Sequence, residues 1–338
     1  MNQRRKFIVA AGTGALAAPF TSRAQQAGNP AGATAGKIWR IGFLSSIARP
    51  ADLGAHYYGG FLDGMRELGY VEGRNLVIEW RFAGYDSKRL QVLAGELVQL
   101  KPDAIVTAGG DSPLALQKAT STIPIVMSSS GDPVGTGLIK SLARPGGNIT
   151  GLSNLSVELG PKRLEMLRAM APKATRIAVL ANTSSVAHVR ALDSLRDAAS
   201  KLGMTMVPVE VRTSDEFDGA FAQMRQQNVN GLLVLGNPLF NQQGRRIGEL
   251  AVKLRLPTIT VDRVYVEAGC LMSYGANLAE SFRYAATYVD KIFKGRKPAD
   301  LPVEQPTRFE LVINGKTAKT LGLKIPQALL ISAERVIE

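Results

Sequence analysis

The chain repeats one pattern of short β-branched runs and helical segments twice, and this internal repeat limits its fold more than any other feature. The first series of predicted strands covers residues 39–45, 75–82, 103–108 and 124–128. The second covers residues 176–181, 205–211, 231–235 and 257–261. Matching runs lie 128 to 136 residues apart, far longer than a solenoid repeat. Strands that alternate with amphipathic helices form parallel sheets covered by helices, so the repeat predicts an α/β fold of two doubly wound Rossmann-like lobes.

The last part of the chain exceeds what a second lobe needs. Residues 277–293 place apolar side chains on one helical face, and residues 308–313 form a further strand-like run. We therefore expect the chain to return to the first lobe and cross back, through a three-segment hinge that includes the glycine-rich segment 144–151. The predicted lobes are residues 38–152 plus 276–299 and residues 153–275 plus 300–338.

The N-terminus carries the pattern of an export signal. Arg4 and Arg5 precede a short apolar stretch that ends in small residues before Gln25. This pattern predicts a signal peptide over residues 1–24, cleaved near Ala24, and a flexible leader over residues 25–37. The paired arginines favour the twin-arginine route, although a Sec signal looks similar. We expect a periplasmic, monomeric protein.

Charge and cysteine usage narrow the class further. The formal net charge of +13 falls to +9 without the four basic residues of the signal. The remaining charges are scattered and form no basic tract, which argues against nucleic acid as a partner. No apolar run in the mature chain reaches the ~20 residues that span a bilayer. Cys270 is the single cysteine, and its apolar neighbours indicate a core position.

The sequence contains no recognisable catalytic arrangement. The two histidines, His56 and His188, lie far apart and outside any paired-ligand spacing. The nucleophile elbow of the hydrolases and the phosphate-loop lysine are both absent. We therefore expect a protein that is not an enzyme and that uses no metal and no cofactor.

Short polar residues follow the predicted strands, at the edge where doubly wound sheets bind ligands. The candidate ligand-binding residues from these strand ends are Ser45, Ser46, Gly110, Ser112, Ser129, Asp132, Asn182, Asn237 and Asp262. Asp132 and Pro133 also fit the opening of a helix, in which the carboxylate acts as a cap. Both roles for Asp132 stay open at this stage. Two such edges facing each other predict a cleft that closes on a small polar solute.

Three long stretches resemble a known family. Residues 123–151, with Ser128-Ser129-Ser130-Gly131-Asp132 near their centre, residues 267–275 and residues 294–306 are similar to the ABC transporter substrate-binding proteins of the tryptophan/tyrosine-binding type. The resemblance runs from about residue 38 to the C-terminus. It implies a type I periplasmic binding protein fold that delivers a solute, such as an aromatic or other amino acid, to ABC permease membrane subunits with their cytoplasmic ATPase.

The resemblance also assigns roles to the candidates. It implies that Asp132 meets a ligand ammonium and that Ser112 and the amides near Gly110 hold a carboxylate, while the second lobe closes with Asn237, Asp262 and Tyr274. Asp111 departs from the family pattern, which has small hydroxyl residues near this position. If Asp111 faced the cleft, its carboxylate would repel a ligand carboxylate. An exported ligand-sensing protein or an enzyme on the same scaffold remains the alternative, since fold does not fix function.

Overall fold

The computed structural model describes residues 37–108 and 111–338. The predicted signal peptide, nearly all of the predicted leader, and Gly110 lie outside the described residues. Residues 38–338 pack as one unit that contains both lobes. Within the described residues, no helix combines the length and the apolar character needed to cross a membrane.

The first lobe is built on a five-stranded parallel sheet in the order β2-β1-β3-β4-β5. The apolar runs of the first series form four of its strands, and inner strands of such a sheet are buried on both faces. The strands are β1 (Trp39–Ser45), β2 (Leu76–Phe82), β3 (Ala104–Ala108), β4 (Ile125–Ser130) and β5 (Ile149–Ser153). The helices between them are α1 (Tyr58–Glu67), α2 (Ser87–Gln99) and α3 (Ser112–Ala119).

The second lobe is built on a seven-stranded sheet in the order β12-β11-β10-β9-β8-β6-β7. All its neighbouring strands are parallel except β10 and β11. Its strands are β6 (Arg176–Ala181), β7 (Thr205–Glu210), β8 (Gly231–Val234), β9 (Thr258–Thr260), β10 (Met272–Ala276), β11 (Phe309–Asn314) and β12 (Arg335–Ile337). Its helices are α4 (Gly160–Met170), α5 (Val186–Lys201), α6 (Phe217–Gln226), α7 (Pro238–Gln242), α8 (Gly244–Lys253), α9 (Arg263–Glu267), α11 (Gly315–Thr320) and α12 (Gln327–Ser332). The predicted class, two lobes of mainly parallel sheet covered by helices, is confirmed.

The chain returns to the first lobe through α10 (Leu278–Phe293), which packs against α1. Two glycines of α1 allow this close approach. A Cβ atom on Gly60 would lie 2.2 Å from the carbonyl oxygen of Ala279, and one on Gly64 would lie 2.5 Å from that of Arg283. Larger side chains at either glycine would therefore push the returning helix away.

Two details of the predicted crossings differ from the structure. Residues 149–151, expected within a hinge segment, begin β5 and continue the sheet. The segment after residue 299 stays beside the first lobe for longer than expected, because the Ser153 amide donates to the Glu304 carbonyl and the Glu304 amide donates to Gly151. We therefore propose that the crossovers lie at residues 154–159, at Asn277 and after Glu304.

The segment after Asp132 was expected to open a helix, and this expectation is wrong. Residues 133–137 form hydrogen-bonded turns, in which the Thr136 amide donates to the Asp132 carbonyl and the Leu138 amide donates to Pro133. The Asp132 carboxylate still accepts one local bond, from the Gly135 amide at 2.7 Å. Proline with two nearby glycines at 135 and 137 favours turns as much as a helix opening.

Cys270 lies in the core of the second lobe, where 1% of its surface is exposed. Burial raises the pKa of its thiol to about 12. The thiol is therefore neutral at ordinary pH and packs as a small apolar group, as its neighbours in the sequence predict.

Candidate functional site

The carboxyl ends of the strands in both lobes face a cleft with two adjoining compartments. We call the larger compartment, of about 450 Å³, the outer one and the smaller, of about 90 Å³, the inner one. Residues 236–238, which follow β8, line both compartments. Each compartment also receives side chains from the first lobe, so a solute held here would touch both halves of the molecule.

The inner compartment combines an apolar wall with polar groups. Its wall is formed by Ile47, Tyr57, Leu278 and Phe282, and the rings of Tyr57 and Phe282 lie 4.9 Å apart. Its polar groups are Ser129, Asn237, Asn241 and Asp262. An aromatic wall with a few fixed polar groups is typical of a site for a small amphipathic molecule.

Asp262 is the charged group of the inner compartment. It precedes α9, and its Oδ1 accepts the Val264 amide at 2.9 Å as an N-cap. Burial raises the pKa of its carboxyl to about 6, against the opposing effects of that hydrogen bond and of the Arg163 guanidinium. No carboxylate–cation contact within 4.0 Å joins Asp262 to any described residue, so its charge is available to a solute.

Arg163 is a buried cation of the second lobe whose charge acts on Asp262. Its side chain is 1% exposed. Its Nε donates to the Tyr274 carbonyl at 2.7 Å, and its Nη1 donates to the Ser156 carbonyl at 2.8 Å. Burial lowers the pKa of Arg163 to about 10, so the group stays charged at neutral pH. Its bonds tie the first crossover to the end of β10 and hold both on the second lobe.

The outer compartment is mostly polar. Hydroxyl, amide and charged side chains from both lobes line it: Ser46, Asp86, Ser87, Asp111, Asn182, Ser184, Ser185, Arg212, Thr213, Ser214, Asn237 and Gln242. The Ser46 hydroxyl is buried and has no hydrogen-bond partner among the described residues. Asn241 Oδ1 of the inner compartment is in the same condition. Because an unpaired buried polar atom costs free energy, both atoms indicate positions where a solute atom would bind.

His188 bonds to the backbone of two residues that line the outer compartment, Asn182 and Gly236. Its Nδ1 accepts the Asn182 amide at 2.9 Å, which leaves Nε2 to donate to the Gly236 carbonyl, also at 2.9 Å. Burial lowers the pKa of this imidazole, consistent with one ring nitrogen acting as an acceptor. The histidine therefore joins the loops after β6 and β8, both of which line the cleft.

Asp132 connects the two lobes. Its Oδ2 accepts Nε of Arg190, on α5, at 2.6 Å. A Cβ atom on Gly135 would lie 2.1 Å from this carboxylate oxygen and 2.4 Å from the Arg190 nitrogen, so the pair requires glycine there. This interlobe ion pair lies outside the residues that line either compartment.

The candidates from the sequence fall into two groups. Ser46, Ser129, Asn182, Asn237 and Asp262 line the cleft. The others do not line either compartment or lie outside the described residues. Ser45 and Ser112 are buried, and Ser45 shares a 2.6 Å hydrogen bond with Tyr58. Tyr274 packs beside Phe309 in the second lobe, and Asp132 pairs with Arg190. Gly110 lies outside the described residues.

Several lining residues were missed because their signals are weak in the sequence. Tyr57 and Phe282 read as ordinary apolar positions of helical segments, and they meet only because α10 returns to the first lobe. Asn241 lies one turn after Asn237 on α7, a spacing that could have revealed it. Asp111, whose orientation the sequence left open, lines the cleft.

Two lobes of doubly wound sheet around a cleft with unpaired polar groups define a solute-binding protein of the type I periplasmic class. The chain belongs to the family of ABC transporter substrate binding proteins, whose sequence model matches residues 41–337. A "Tyrosine-binding protein" of Clostridioides difficile (strain R20291) is 31% identical over 266 residues, which cover 78% of this chain and 76% of that protein.

Two solved structures, one with a bound ligand and one without, allow the arrangement of the lobes to be compared. An ABC domain in complex with L-Trp from Streptococcus pneumonia is 26% identical, with a TM-score of 0.81, and covers 88% of this chain and 99% of that one. The ligand-free, open structure of a substrate-binding protein with adhesive properties from Clostridium difficile is 29% identical, with a TM-score of 0.66, and covers 89% and 99%. At similar identity and coverage, this chain is more similar to the complex than to the open form.

Proposed function

We propose that this protein, exported to the periplasm, binds an aromatic amino acid or a related aromatic amine between its lobes and delivers it to an ABC permease. The observation that carries the proposal is the inner compartment, where the Tyr57–Phe282 wall faces the Asp262 carboxylate. The ring of the solute would pack on the wall. Its phenol or indole donor would bond to Asp262 or to the unpaired Asn241 oxygen.

Closure follows from the same arrangement. A solute that contacts Ser46 of the first lobe and Asn237 of the second interacts with both lobes only in the closed form, and this difference favours closure. The closed form would then be the one that the permease subunits and their cytoplasmic ATPase recognise. We propose that the protein acts as a monomer and without catalysis, because solute capture needs no bond to be made or broken.

Calorimetric titration with L-tyrosine, L-tryptophan and tyramine, and with L-alanine as a non-aromatic control, tests the proposal. We expect heat from the aromatic solutes only. Tyr57→Ala should weaken their binding about two- to tenfold, since an aromatic contact adds about 0.5–1.5 kcal/mol beyond area burial. The matched control is Tyr70→Ala, which removes another half-buried tyrosine of the same apolar cluster, outside the cleft. Equal affinity for alanine would refute the proposal.

A further inference from the structure

The charge of the cleft is opposite to that of the molecule. The chain carries a formal net charge of +13. Among the described residues that line the two compartments, the charged ones are three carboxylates, Asp86, Asp111 and Asp262, and one guanidinium, Arg212. Arg212 already donates to Glu210 at 2.8 Å. Among these residues the carboxylates therefore outnumber the guanidinium three to one.

The three carboxylates differ in availability. Asp86 caps α2 and accepts the amides of Lys88 and Arg89 at 2.8 and 3.1 Å. Asp111 occupies the same position before α3, but its side chain makes no capping bond. Partial desolvation raises the pKa of Asp111 against the opposing charge of Lys118, and the residue is exposed to solvent. It therefore resembles Asp262 as an acceptor that a solute can use.

Asp111 shares the outer compartment with Ser46. Ser46 is 7% exposed, and its hydroxyl has no hydrogen-bond partner among the described residues. If the solute ring occupies the inner compartment, the atoms attached to its side chain extend into the outer one. An ammonium there would be attracted by Asp111 and could donate to Ser46. A carboxylate on the same carbon would face Asp111 as a like charge, which disfavours it.

We propose that the cleft selects aromatic monoamines, which are organic cations, over zwitterionic amino acids, and that Asp111 is the residue that sets this preference. The inference rests on the proposed function, since it assumes that the aromatic ring lies against Tyr57. One feature acts in the opposite direction. The N-terminus of α5 also opens towards the outer compartment through Ser184 and Ser185, and helix N-termini attract anions.

Calorimetric titration with tyramine and L-tyrosine at pH 7.5 tests the preference, because the two solutes differ only by the carboxylate. We expect the wild-type protein to bind tyramine at least about tenfold more tightly, the effect of one like-charge contact in a partly desolvated site. Asp111→Asn should weaken tyramine about tenfold and strengthen tyrosine. The matched control is Asp63→Asn, an exposed carboxylate on α1 that pairs with Arg66 away from the cleft.

The outcomes separate the two proposals. Tighter wild-type binding of tyrosine than of tyramine would overturn the cation preference and leave the proposed function in place. An unchanged ratio of the two affinities in Asp111→Asn would overturn the role of Asp111. Binding of neither solute would refute the proposed function, and the cation preference with it. If Asp111→Asn loses both solutes and melts at a lower temperature, Asp111→Ser, which places another neutral N-cap there, decides the matter. An unchanged ratio of the two affinities in Asp111→Ser would overturn the role of Asp111.

Discussion

Asp262 places a charge where the folded protein disfavours it. Its pKa is raised to about 6, above the usual value of ~3.9 in an unfolded chain. The folded state therefore binds more protons than the unfolded state between about pH 4 and pH 6, so this group's contribution to the free energy of unfolding falls as the pH rises through that window. This buried carboxylate thus lowers stability at neutral pH.

Replacement of Asp262 by asparagine should raise stability at pH 7.5. Asparagine keeps the oxygen that accepts the Val264 amide and removes the unfavourable charge, for a gain of about 1–2 kcal/mol and a few degrees in melting temperature. At pH 4 the gain should nearly vanish. Thermal melts at the two pH values measure this, and a lower melting temperature at pH 7.5 would contradict it. Tyramine, which carries a phenol, should bind less tightly to the variant than to the wild type.

The sequence predicts such single residues unevenly. Asn237 and Asp262 could be found because capping residues at strand ends lie at a known edge of the sheet. Asp132 satisfied the same pattern, yet its partner Arg190 lies 58 residues further along the chain and has no sequence signature. A polar residue at the right edge is therefore placed near the cleft by the fold, while the atom that it binds is decided by packing.

At the scale of elements, the interlobe ion pair connects the loop after β4 with α5. Asp132 is held by the Gly135 amide on one oxygen and by Arg190 on the other, so its geometry is fixed before any solute binds. The pair joins the lobes without a solute. It should therefore favour the closed arrangement, in agreement with the greater similarity to the L-Trp complex than to the open structure.

Arg190→Ala should shift the solute-free protein towards an open form. Small-angle scattering should show a larger radius of gyration than for the wild type, and solute affinity should fall about three- to tenfold, since closure must then be driven by the solute alone. The control is Arg196→Ala, which breaks an exposed ion pair with Asp193 on the same helix. Identical scattering from both variants and the wild type would rule out this role.

Elements were predicted well where the apolar pattern was strong and poorly where glycine interrupted it. β1 and β6 have the predicted bounds, because both are continuous apolar runs at the centre of a sheet. β5 was taken for part of a hinge because Gly146, Gly147 and Gly151 surround its short β-branched core. Local composition there indicated a loop, and pairing with β4 overrode it.

At the scale of the whole molecule, export depends on the predicted signal in residues 1–24. If residues 1–24 form a twin-arginine signal, the exported protein should begin at Gln25. The double change Arg4→Lys and Arg5→Lys should stop export, because that route requires the arginine pair. N-terminal sequencing of periplasmic material measures both. Normal processing of the double variant would instead indicate the Sec route.

The internal repeat is what made the two-lobed architecture predictable. Two series of strands at a constant offset require two similar sheets, and the surplus helix and strand at the end required a return to the first lobe. The relative position of the lobes could not be read in this way. It depends on contacts between residues that are distant in the sequence, such as the ion pair of Asp132 with Arg190.

The burial of Cys270 has a practical consequence for measuring these motions. Its thiol is 1% exposed, with a pKa raised to about 12, so it should not react with maleimide dyes in the native state. A cysteine introduced at Ser184, which is exposed on the rim of the outer compartment, would therefore be labelled selectively. The unaltered chain already offers a background without competing thiols in its described part, and one substitution would turn it into a fluorescent reporter of its own solute.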